Sequence, residues 1–287
     1  MTISISEAIR EAAEIFNDAG LPEARREAGG LLQHVLGRDR TFILAHPEQQ
    51  LSREQLQTFQ KLLQRRAAGE PLQYITAHQS FFGLDFEVAP GVLIPRPETE
   101  LLVELALETL KGARAPLICD VGTGSGCIAI TLLNELTDAH AVAIDISAAA
   151  LEIAKRNARQ HSVKSRLTFV QSNCFSSLSS AVSTFDLIVS NPPYVAEDAL
   201  NGLQREVRDH EPREALAGGR DGLDVVRRLL EESDAFLRPA GHLLIEIGFN
   251  QAAAVESLLE KQAWISKGIR HDLQGIPRVV VLQKMFS

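Results

Sequence analysis

From Pro116 onward, apolar segments alternate with glycine-containing loops and helical segments. Residues 117–121 are typical of a buried strand, Gly122–Gly126 of a tight loop, and the apolar residues that follow of a helix. Further strands are predicted at residues 141–145, 167–170, 185–189, 243–247 and 279–283, with a weaker one near Trp264. This alternation predicts an α/β chain with a mostly parallel sheet and helices on both faces.

The loop after the first strand has the spacing Gly-x-Gly-x-Gly, with glycines at 122, 124 and 126. Ligands bind at the carboxyl ends of the strands in such sheets, and glycine lets a ligand approach the backbone. The loop has neither the Gly-x-Gly-x-x-Gly dinucleotide spacing nor the Gly-Lys-Ser/Thr of a phosphate-binding loop. Asp145 ends the next strand about 20 residues on, where an acid can accept hydrogen bonds from both ribose hydroxyls. Together these features predict a site for an adenosyl ligand without a pyrophosphate.

Three more side chains flank this predicted site. Asp120 can orient the loop amides or approach a cationic ligand, or it can be structural. Asn173, after the third strand, is placed to pair with the amino group of adenine through its side-chain oxygen. Cys174 or the ring after it can lie on the face of the base, and Cys174 has no adjacent base that would make it a nucleophile.

A second motif, Ser190-Asn191-Pro192-Pro193-Tyr194, follows the apolar strand at 185–189. The two prolines end the strand because neither can donate a backbone hydrogen bond. The Asn191 oxygen and a neighbouring backbone carbonyl can accept both hydrogens of a planar NH2 group, while the Tyr194 ring covers a flat face. Beside an adenosyl site, this clamp indicates transfer of the methyl group of S-adenosylmethionine to a planar nitrogen. Orientation supplies most of the rate, and neither a metal nor a strong base is needed.

The first 70 or so residues have helical periodicity. Ser4 with Glu7 and Ser52 with Gln55 form capping boxes, and glycines or prolines separate the predicted helices. Residues 79–88 predict a hairpin that turns at Gly83-Leu84. We therefore expect a helical substrate-recognition domain at 1–72, a hairpin linker at 73–92 and a catalytic α/β domain at 93–287.

Composition narrows the classes of partner. The chain has 287 residues and a net charge of −8, which argues against affinity based on neutralising phosphates and against a nucleic-acid partner. Cys119, Cys127 and Cys174 form neither a disulfide framework nor a zinc motif, so we expect no metal site and a reducing compartment. There is no signal-peptide pattern and no apolar stretch of membrane-spanning length, so a cytoplasmic protein without a membrane partner is expected.

These motifs closely resemble the HemK/PrmC family of class I methyltransferases, the N5-glutamine methyltransferases of peptide chain release factors. The resemblance spans nearly the whole chain. It includes the helical N-terminal segment, the two motifs above, residues 94–100 (Ile-Pro-Arg-Pro-Glu-Thr-Glu) and residues 211–216. It implies a Rossmann-like S-adenosylmethionine-dependent methyltransferase sheet with a small N-terminal helical domain joined by a β-hairpin.

The resemblance also implies a substrate and a set of roles. The acceptor is the glutamine of the Gly-Gly-Gln motif in class 1 release factors, whose methylation modulates translation termination, and the other product is S-adenosylhomocysteine. Asn191 contacts both cofactor and substrate, the Arg96 loop roofs the cofactor side, and Asn191, Pro192 and Tyr194 are catalytic. The cofactor-binding residues are Gly122, Thr123, Gly124, Ser125, Gly126, Asp145, Cys174 and Asn191, and the glutamine pocket is formed by Asn191, Pro192, Pro193 and Tyr194. The chain departs from the family pattern at Asn173, where Asp is usual, and at Ala77, where Gly is common.

Three alternatives remain open. A ribosomal-protein glutamine methyltransferase would share the clamp, although the intact 94–100 segment favours the release-factor branch. An adenine-N6 DNA methyltransferase should carry a basic surface or a target-recognition domain, whereas this chain is acidic. A catalytically silent adenosine-binding scaffold would not need the complete clamp.

Overall fold

The structure is a computed structural model that describes residues 3–179, 185–260 and 264–285. The chain divides into two compact units. The helical unit comprises Met1–His78 together with Gln204–His210, and the sheet unit comprises Gln79–Leu203 together with Glu211–Ser287. None of the described helices is both long and apolar enough to span a bilayer.

The helical unit packs its amphipathic helices around a core of its own. Both predicted capping boxes are confirmed. The hydroxyls of Ser4 and Ser52 each accept from the backbone amide of the third helical residue, and their own backbone amides donate to the side chain of that residue. A five-residue helix after Pro71 was not predicted, because it is too short to show a period. The helices are α1 (Ile5–Asp18), α2 (Ala24–Leu36), α3 (Arg40–Ala45), α4 (Arg53–Ala67) and α5 (Leu72–Thr76).

The sheet unit begins with a hairpin of two strands, β1 (His78–Phe81) and β2 (Leu84–Glu87). The turn residues are Phe82 and Gly83, so the predicted turn at Gly83-Leu84 was wrong by one position. Phe82 and Gly83 both have positive φ, 51° and 74°, as a two-residue hairpin turn of matching twist requires. Leu84 is therefore not part of the turn and is the first residue of the second strand.

A seven-stranded sheet forms the centre of this unit, in the order β5-β4-β3-β6-β7-β9-β8. Its first five strands in this order are parallel, and β8 and β9 are antiparallel to their neighbours. The strands are β3 (Leu117–Val121), β4 (His140–Asp145), β5 (Leu167–Gln171), β6 (Phe185–Ser190), β7 (Leu237–Glu246), β8 (Trp264–His271) and β9 (Pro277–Lys284). Strand β7 begins six residues before the predicted start, because its polar first half has no apolar run to mark it.

Apolar side chains cover both faces of the sheet, in one cluster that includes Leu102 and Leu132 and another that includes Val226 and Phe236. The helices of the sheet unit are α6 (Glu100–Thr109), α7 (Cys127–Glu135), α8 (Ala148–Gln160), α10 (Arg213–Leu216), α11 (Asp224–Glu232) and α12 (Ala252–Leu259), while α9 (Arg205–His210) belongs to the helical unit. The predicted fold class, a mostly parallel sheet with helices on both faces, is confirmed.

The strand order reverses beside β3, because β4 and β5 extend the sheet on one side and β6 extends it on the other. A crevice forms at the carboxyl ends of the strands at such a reversal, and ligands bind there. The glycine loop leaves β3 and the Asn191 motif leaves β6, so both predicted motifs open into this crevice.

Candidate functional site

A cavity of ≈ 650 Å³ lies at the carboxyl ends of the central strands. Seven of the predicted site residues line it: Gly122, Gly124, Asp145, Cys174, Asn191, Pro192 and Pro193. Thr123, Ser125, Gly126 and Tyr194 are not among its lining residues. The structure thus brings the two motifs together around one space, although four of the predicted residues do not line it.

The register of the sheet sets the two motifs side by side. Val121 of β3 lies opposite Ser190 of β6, so the next residues, Gly122 and Asn191, leave the sheet together. A Cβ atom placed on Gly122 would be 3.9 Å from the backbone oxygen of Asn191. The Ser190 hydroxyl also donates to the Val121 carbonyl at 2.6 Å, which ties the two strand ends.

The glycines of the loop have different tasks. Gly124 has φ +56°, and a Cβ on it would meet nothing within 4 Å, so its backbone is open to a ligand. Gly126 has φ +84°, and a Cβ there would lie 2.8 Å from Cδ1 of Ile130 and 3.1 Å from Cβ of Ala154. Gly126 therefore permits close packing of the loop against α7 and α8.

Asp145 holds the loop from the end of β4. Its Oδ2 accepts from the Gly124 amide at 2.8 Å and its Oδ1 accepts from the Ser147 amide at 2.9 Å. Burial raises the pKa of Asp145, and these backbone hydrogen bonds oppose that rise. The carboxylate lines the cavity, where its remaining lone pairs can accept from hydroxyl groups.

Asp120 is completely buried beneath the loop. Its Oδ2 accepts from the Thr123 hydroxyl at 2.7 Å and from the Ala129 amide at 3.3 Å, so it orients the loop and the start of α7. Its Oδ1 is buried and finds no hydrogen-bond partner in the described part of the chain. Burial raises the pKa of Asp120 to about 7. Of the roles open from the sequence, the structure supports the orientation of the loop.

Asn173 lies at the far end of the cavity and has a partner that was not expected. Its side-chain oxygen accepts from Nη1 of Arg228 at 2.6 Å and keeps a second lone pair, so its pairing with adenine stays a prediction. Cys174 lines the cavity with φ +49°, and burial raises the pKa of its thiol, which keeps it protonated.

Ile146 also lines the cavity and was not predicted from the sequence. It exposes 55% of its surface, and its position directly after the strand-ending Asp145 was the available sequence signal.

Asn191 presents an unused acceptor. Its Nδ2 donates to the Thr99 hydroxyl at 3.0 Å. Its Oδ1 is buried and has no hydrogen-bond partner within residues 3–179, 185–260 and 264–285. A buried carbonyl oxygen without a partner is costly, so this oxygen is available to accept from a donor that enters the cavity.

Gln251 and Gly222 support the turn that follows Asn191. Nε2 of Gln251 donates to the Tyr194 carbonyl at 3.0 Å and to the Gly222 carbonyl at 3.1 Å. A Cβ on Gly222 would lie 2.3 Å from the Tyr194 carbonyl oxygen, so only glycine fits there. Burial raises the pKa of Tyr194 to about 12, and the phenol stays neutral.

Three buried residues near the Asn191 motif were not predicted: Thr99, Gln251 and Glu246. Thr99 lies within the 94–100 segment, whose prolines and charged residues are the stronger sequence signal. Glu246 ends β7 with 1% exposure, and burial raises its pKa to about 7. An acid at the end of an apolar strand was the only sequence signal for it.

The segment around Arg96 is tied to residues 211–216. Arg96 pairs with the buried carboxylate of Glu211, whose Oε2 also accepts from the Ile94 amide at 3.2 Å. Leu93 and Glu214, from the same two segments, both line the cavity. This pairing ties the 94–100 segment to residues that line the cavity, and the Arg96 loop as a roof over the cofactor stays a prediction.

Among the described residues, no three His, Cys, Asp or Glu side chains come together as metal ligands. The three cysteines are buried free thiols.

Comparison with known proteins agrees with this geometry. The model of the PrmC N-terminal domain matches residues 7–76, and the model of the methyltransferase small domain matches residues 97–208. Release factor glutamine methyltransferases from Koribacter versatilis and Nitratidesulfovibrio vulgaris are 40% and 42% identical, over 99% and 96% of this chain and 100% and 94% of theirs.

A solved structure with the same fold is the T. thermophilus 16S rRNA N2 G1207 methyltransferase in complex with AdoMet and guanosine. It has a TM-score of 0.52 and 21% identity, over 72% of this chain and 49% of that one. This likeness concerns the fold alone, whereas the two relatives extend over nearly the full length of the chain. The chain therefore belongs to the release factor glutamine methyltransferase family.

Proposed function

We propose that this protein transfers the methyl group of S-adenosylmethionine to the side-chain amide nitrogen (N5) of the glutamine in the Gly-Gly-Gln motif of class 1 release factors. The observation that carries the proposal is the buried, unpartnered Oδ1 of Asn191 beside the glycine loop. An amide NH2 is the donor that this oxygen lacks. The names of the full-length relatives support a release factor as the source of that amide.

The residues around the cavity fit S-adenosylmethionine. The Gly122–Gly126 loop offers an open backbone at Gly124, Asp145 can accept from the ribose hydroxyls, and Cys174 lies where the adenine would end. An AdoMet complex among proteins of the same fold supports this cofactor. When bound, S-adenosylmethionine supplies an electrophilic methyl group on a sulfonium, and S-adenosylhomocysteine is the product that leaves.

The clamp positions the glutamine nitrogen. Oδ1 of Asn191 accepts one N–H of the amide and the Pro192 backbone carbonyl accepts the other, while Pro193 and Tyr194 complete the walls of the pocket. Two accepted hydrogen bonds increase the electron density on a nitrogen whose lone pair is otherwise delocalised. They also hold that nitrogen on the line to the methyl carbon, and most of the acceleration comes from this orientation. The new C–N bond replaces one N–H bond and the bond from the methyl carbon to sulfur, so the products are the methylated amide, S-adenosylhomocysteine and a proton that leaves to solvent.

The helical domain, residues 1–72, is proposed to recognise the release factor, with residues 73–92 as linker and 93–287 as the catalytic domain. The acidic balance of the chain suits a protein substrate better than DNA or RNA. A release factor as substrate places the activity in the cytoplasm.

The test is transfer of labelled methyl from S-adenosylmethionine to a purified class 1 release factor, beside a copy whose Gly-Gly-Gln glutamine is changed to Ala. Label on the first and not the second is the expected result. If neither release factor were labelled and a ribosomal protein or DNA were labelled instead, the proposed substrate would be wrong.

A further inference from the structure

We propose that a groove on the helical unit docks an acidic segment of the release factor that carries apolar side chains. The inference deepens the proposed function and rests on it for the identity of the partner. The groove lies within the helical unit alone and is called the arginine groove below. The residues that define it are Ile5, Ile43, Leu44, Arg25, Arg26 and Arg40.

The arginine groove is an apolar cavity of ≈ 590 Å³ between α1, α2 and α3. Ile5 and Ile43 are 1% and 4% exposed and form part of its floor. Leu44, the next residue of α3, also lines the cavity but exposes 70% of its surface. An exposed apolar side chain over an apolar cavity with a polar rim is typical of a protein interaction site. Apolar side chains of a partner can therefore be buried here.

The charges around the arginine groove have one sign. Arg25, Arg26 and Arg40 line it, and no Asp or Glu is found among the described residues that do so. Arg26 pairs with Glu23 at 2.5 Å, whereas the guanidinium groups of Arg25 and Arg40 have no ion-pair or hydrogen-bond partner in the described part of the chain. The whole chain has a net charge of −8, so this positive rim is contrary to its composition. Charge complementarity favours a partner segment that contains Asp or Glu.

The lining of the groove favours a protein segment over nucleic acid. Guanidinium groups also bind phosphate, but proteins that bind single strands combine basic residues with aromatic rings on which bases stack. The described lining residues include no Phe, Tyr, Trp or His, and the apolar floor offers no contact to a phosphate backbone. A segment in which acids flank Leu-like side chains matches both the floor and the arginines.

Gly29 indicates that the occupant approaches the backbone of α2. It lies in the interior of this helix, where glycine is less favourable than alanine. Outside the helix backbone, a Cβ on Gly29 would meet only Nε2 of Gln33, at 4.0 Å, whereas a Cβ on Gly30 would lie 3.0 Å from Cδ2 of Leu72. Packing within the chain thus accounts for Gly30 but not for Gly29. Because Gly29 lines the groove, a methyl group there would occupy space that the docked segment needs.

The test measures methylation of a release factor by the full-length protein and three groove variants. These are Leu44→Ser, Gly29→Ala and the double variant Arg25→Glu/Arg40→Glu. We expect each to raise the KM for the release factor about five- to thirtyfold, because each removes or obstructs a contact with the docked segment. The kcat and the affinity for S-adenosylmethionine should stay unchanged.

Two control variants change the same chemistry outside the groove. Ile15→Ser removes an apolar side chain of α1 that is 43% exposed, and Arg53→Glu reverses an exposed charge at the start of α4. Neither residue lines the groove, so both variants should keep the wild-type KM. A rise in KM in the controls as large as that in the groove variants would overturn the inference.

Two readouts separate docking from a general structural role. Gly29→Ala should raise the midpoint of urea unfolding while it raises the KM, because alanine is the better helix former. A short peptide that contains only the Gly-Gly-Gln motif should be methylated equally by wild type and groove variants, because it has no segment for the groove. Lower activity of the groove variants on this peptide, or a wild-type KM for the release factor in Leu44→Ser, would contradict the docking role.

Binding measured without methyl transfer keeps the inference apart from the proposed function. In calorimetry with a release factor whose Gly-Gly-Gln glutamine is changed to Ala, the Kd should rise in the groove variants and, for wild type, with added salt. Wild-type protein that binds in this way but labels no glutamine would refute the proposed reaction alone. Methylation by wild type with an unchanged Kd in the groove variants would refute the groove alone. Groove variants that lose self-association or RNA binding, and keep the release-factor Kd, would show a different occupant and overturn the proposal.

Discussion

Replacement of Asn191 by Ala should abolish most methyl transfer without destabilising the fold. The variant removes the acceptor for one N–H of the substrate amide, which is worth about 1–3 kcal/mol when that group is left buried and unpaired. The corresponding loss in kcat/KM is about 5- to 150-fold.

The stability of this variant follows from the two halves of the amide. Nδ2 of Asn191 has one hydrogen bond, to Thr99 at 3.0 Å, which contributes about 0.5–1.5 kcal/mol. Oδ1 is buried without a partner among the described residues, a burden of about 1–3 kcal/mol that the variant removes. The two effects oppose each other, so the free energy of unfolding should stay within about 2 kcal/mol of wild type or rise.

Asn157→Ala is the matched control. The Asn157 amide is fully bonded, since Oδ1 accepts from the Glu87 amide at 2.8 Å and Nδ2 donates to the carbonyls of Glu87 at 3.0 Å and Ser125 at 2.8 Å. Its removal strands three backbone groups, so we expect a loss of about 3 kcal/mol or more.

The assay is labelled-methyl transfer to a release factor, combined with urea unfolding of wild type, Asn191→Ala and Asn157→Ala. A loss of stability in Asn191→Ala as large as that in Asn157→Ala would refute the view that this amide is kept for function. Wild-type turnover in Asn191→Ala would refute the clamp itself.

Three further changes test the cofactor side. Asp145→Ala should weaken S-adenosylmethionine binding about 10- to 100-fold in calorimetry while leaving release-factor affinity unchanged, and an unaltered cofactor affinity would contradict its role. Gly126→Ala should lower the free energy of unfolding in urea by about 2–4 kcal/mol, because a Cβ there would lie 2.8 Å from Ile130. Gly112 also has a positive φ (+82°) but lies in open space, so Gly112→Ala should cost only about 1 kcal/mol. Equal losses of stability in the two variants would exclude a packing role for Gly126. Asp120 has a folded-state pKa of about 7 against an ordinary value of 3.8, so the folded state binds the extra proton and loses stability as pH rises from about 4 to 7. Asp120→Asn has no titrating group at this position. Between about pH 4 and 7, the free energy of unfolding of this variant should therefore rise relative to that of wild type by up to roughly 4 kcal/mol. Parallel curves of unfolding free energy against pH for the two proteins would show the reasoning to be mistaken.

Local patterns predicted most elements because their causes are local. The capping boxes at Ser4 and Ser52 and the central strands depend on residues a few positions apart. The hairpin turn was misplaced by one residue because Phe82, a bulky residue, adopts a positive φ that glycine usually takes. Helix α5 was missed because five residues are too few to show a period.

The roles of some predicted site residues depended on distant partners. Arg228 donates to the Asn173 oxygen from 55 positions away, and nothing near Asn173 in the sequence indicates this bond. Likewise, Gln251 holds the Tyr194 carbonyl from 57 positions away.

The sequence by itself determined the fold class, the two motifs and the chemistry that they imply, because strand and helix periods, glycine conformations and proline turns act over a few residues. Only the tertiary structure decided how the Asn191 amide is held. Thr99, whose hydroxyl accepts from the Asn191 amide, lies 92 positions before Asn191 in the chain. Strand order is set by pairing between distant segments, and hydrogen-bond direction by the count of donors and acceptors that this pairing buries together.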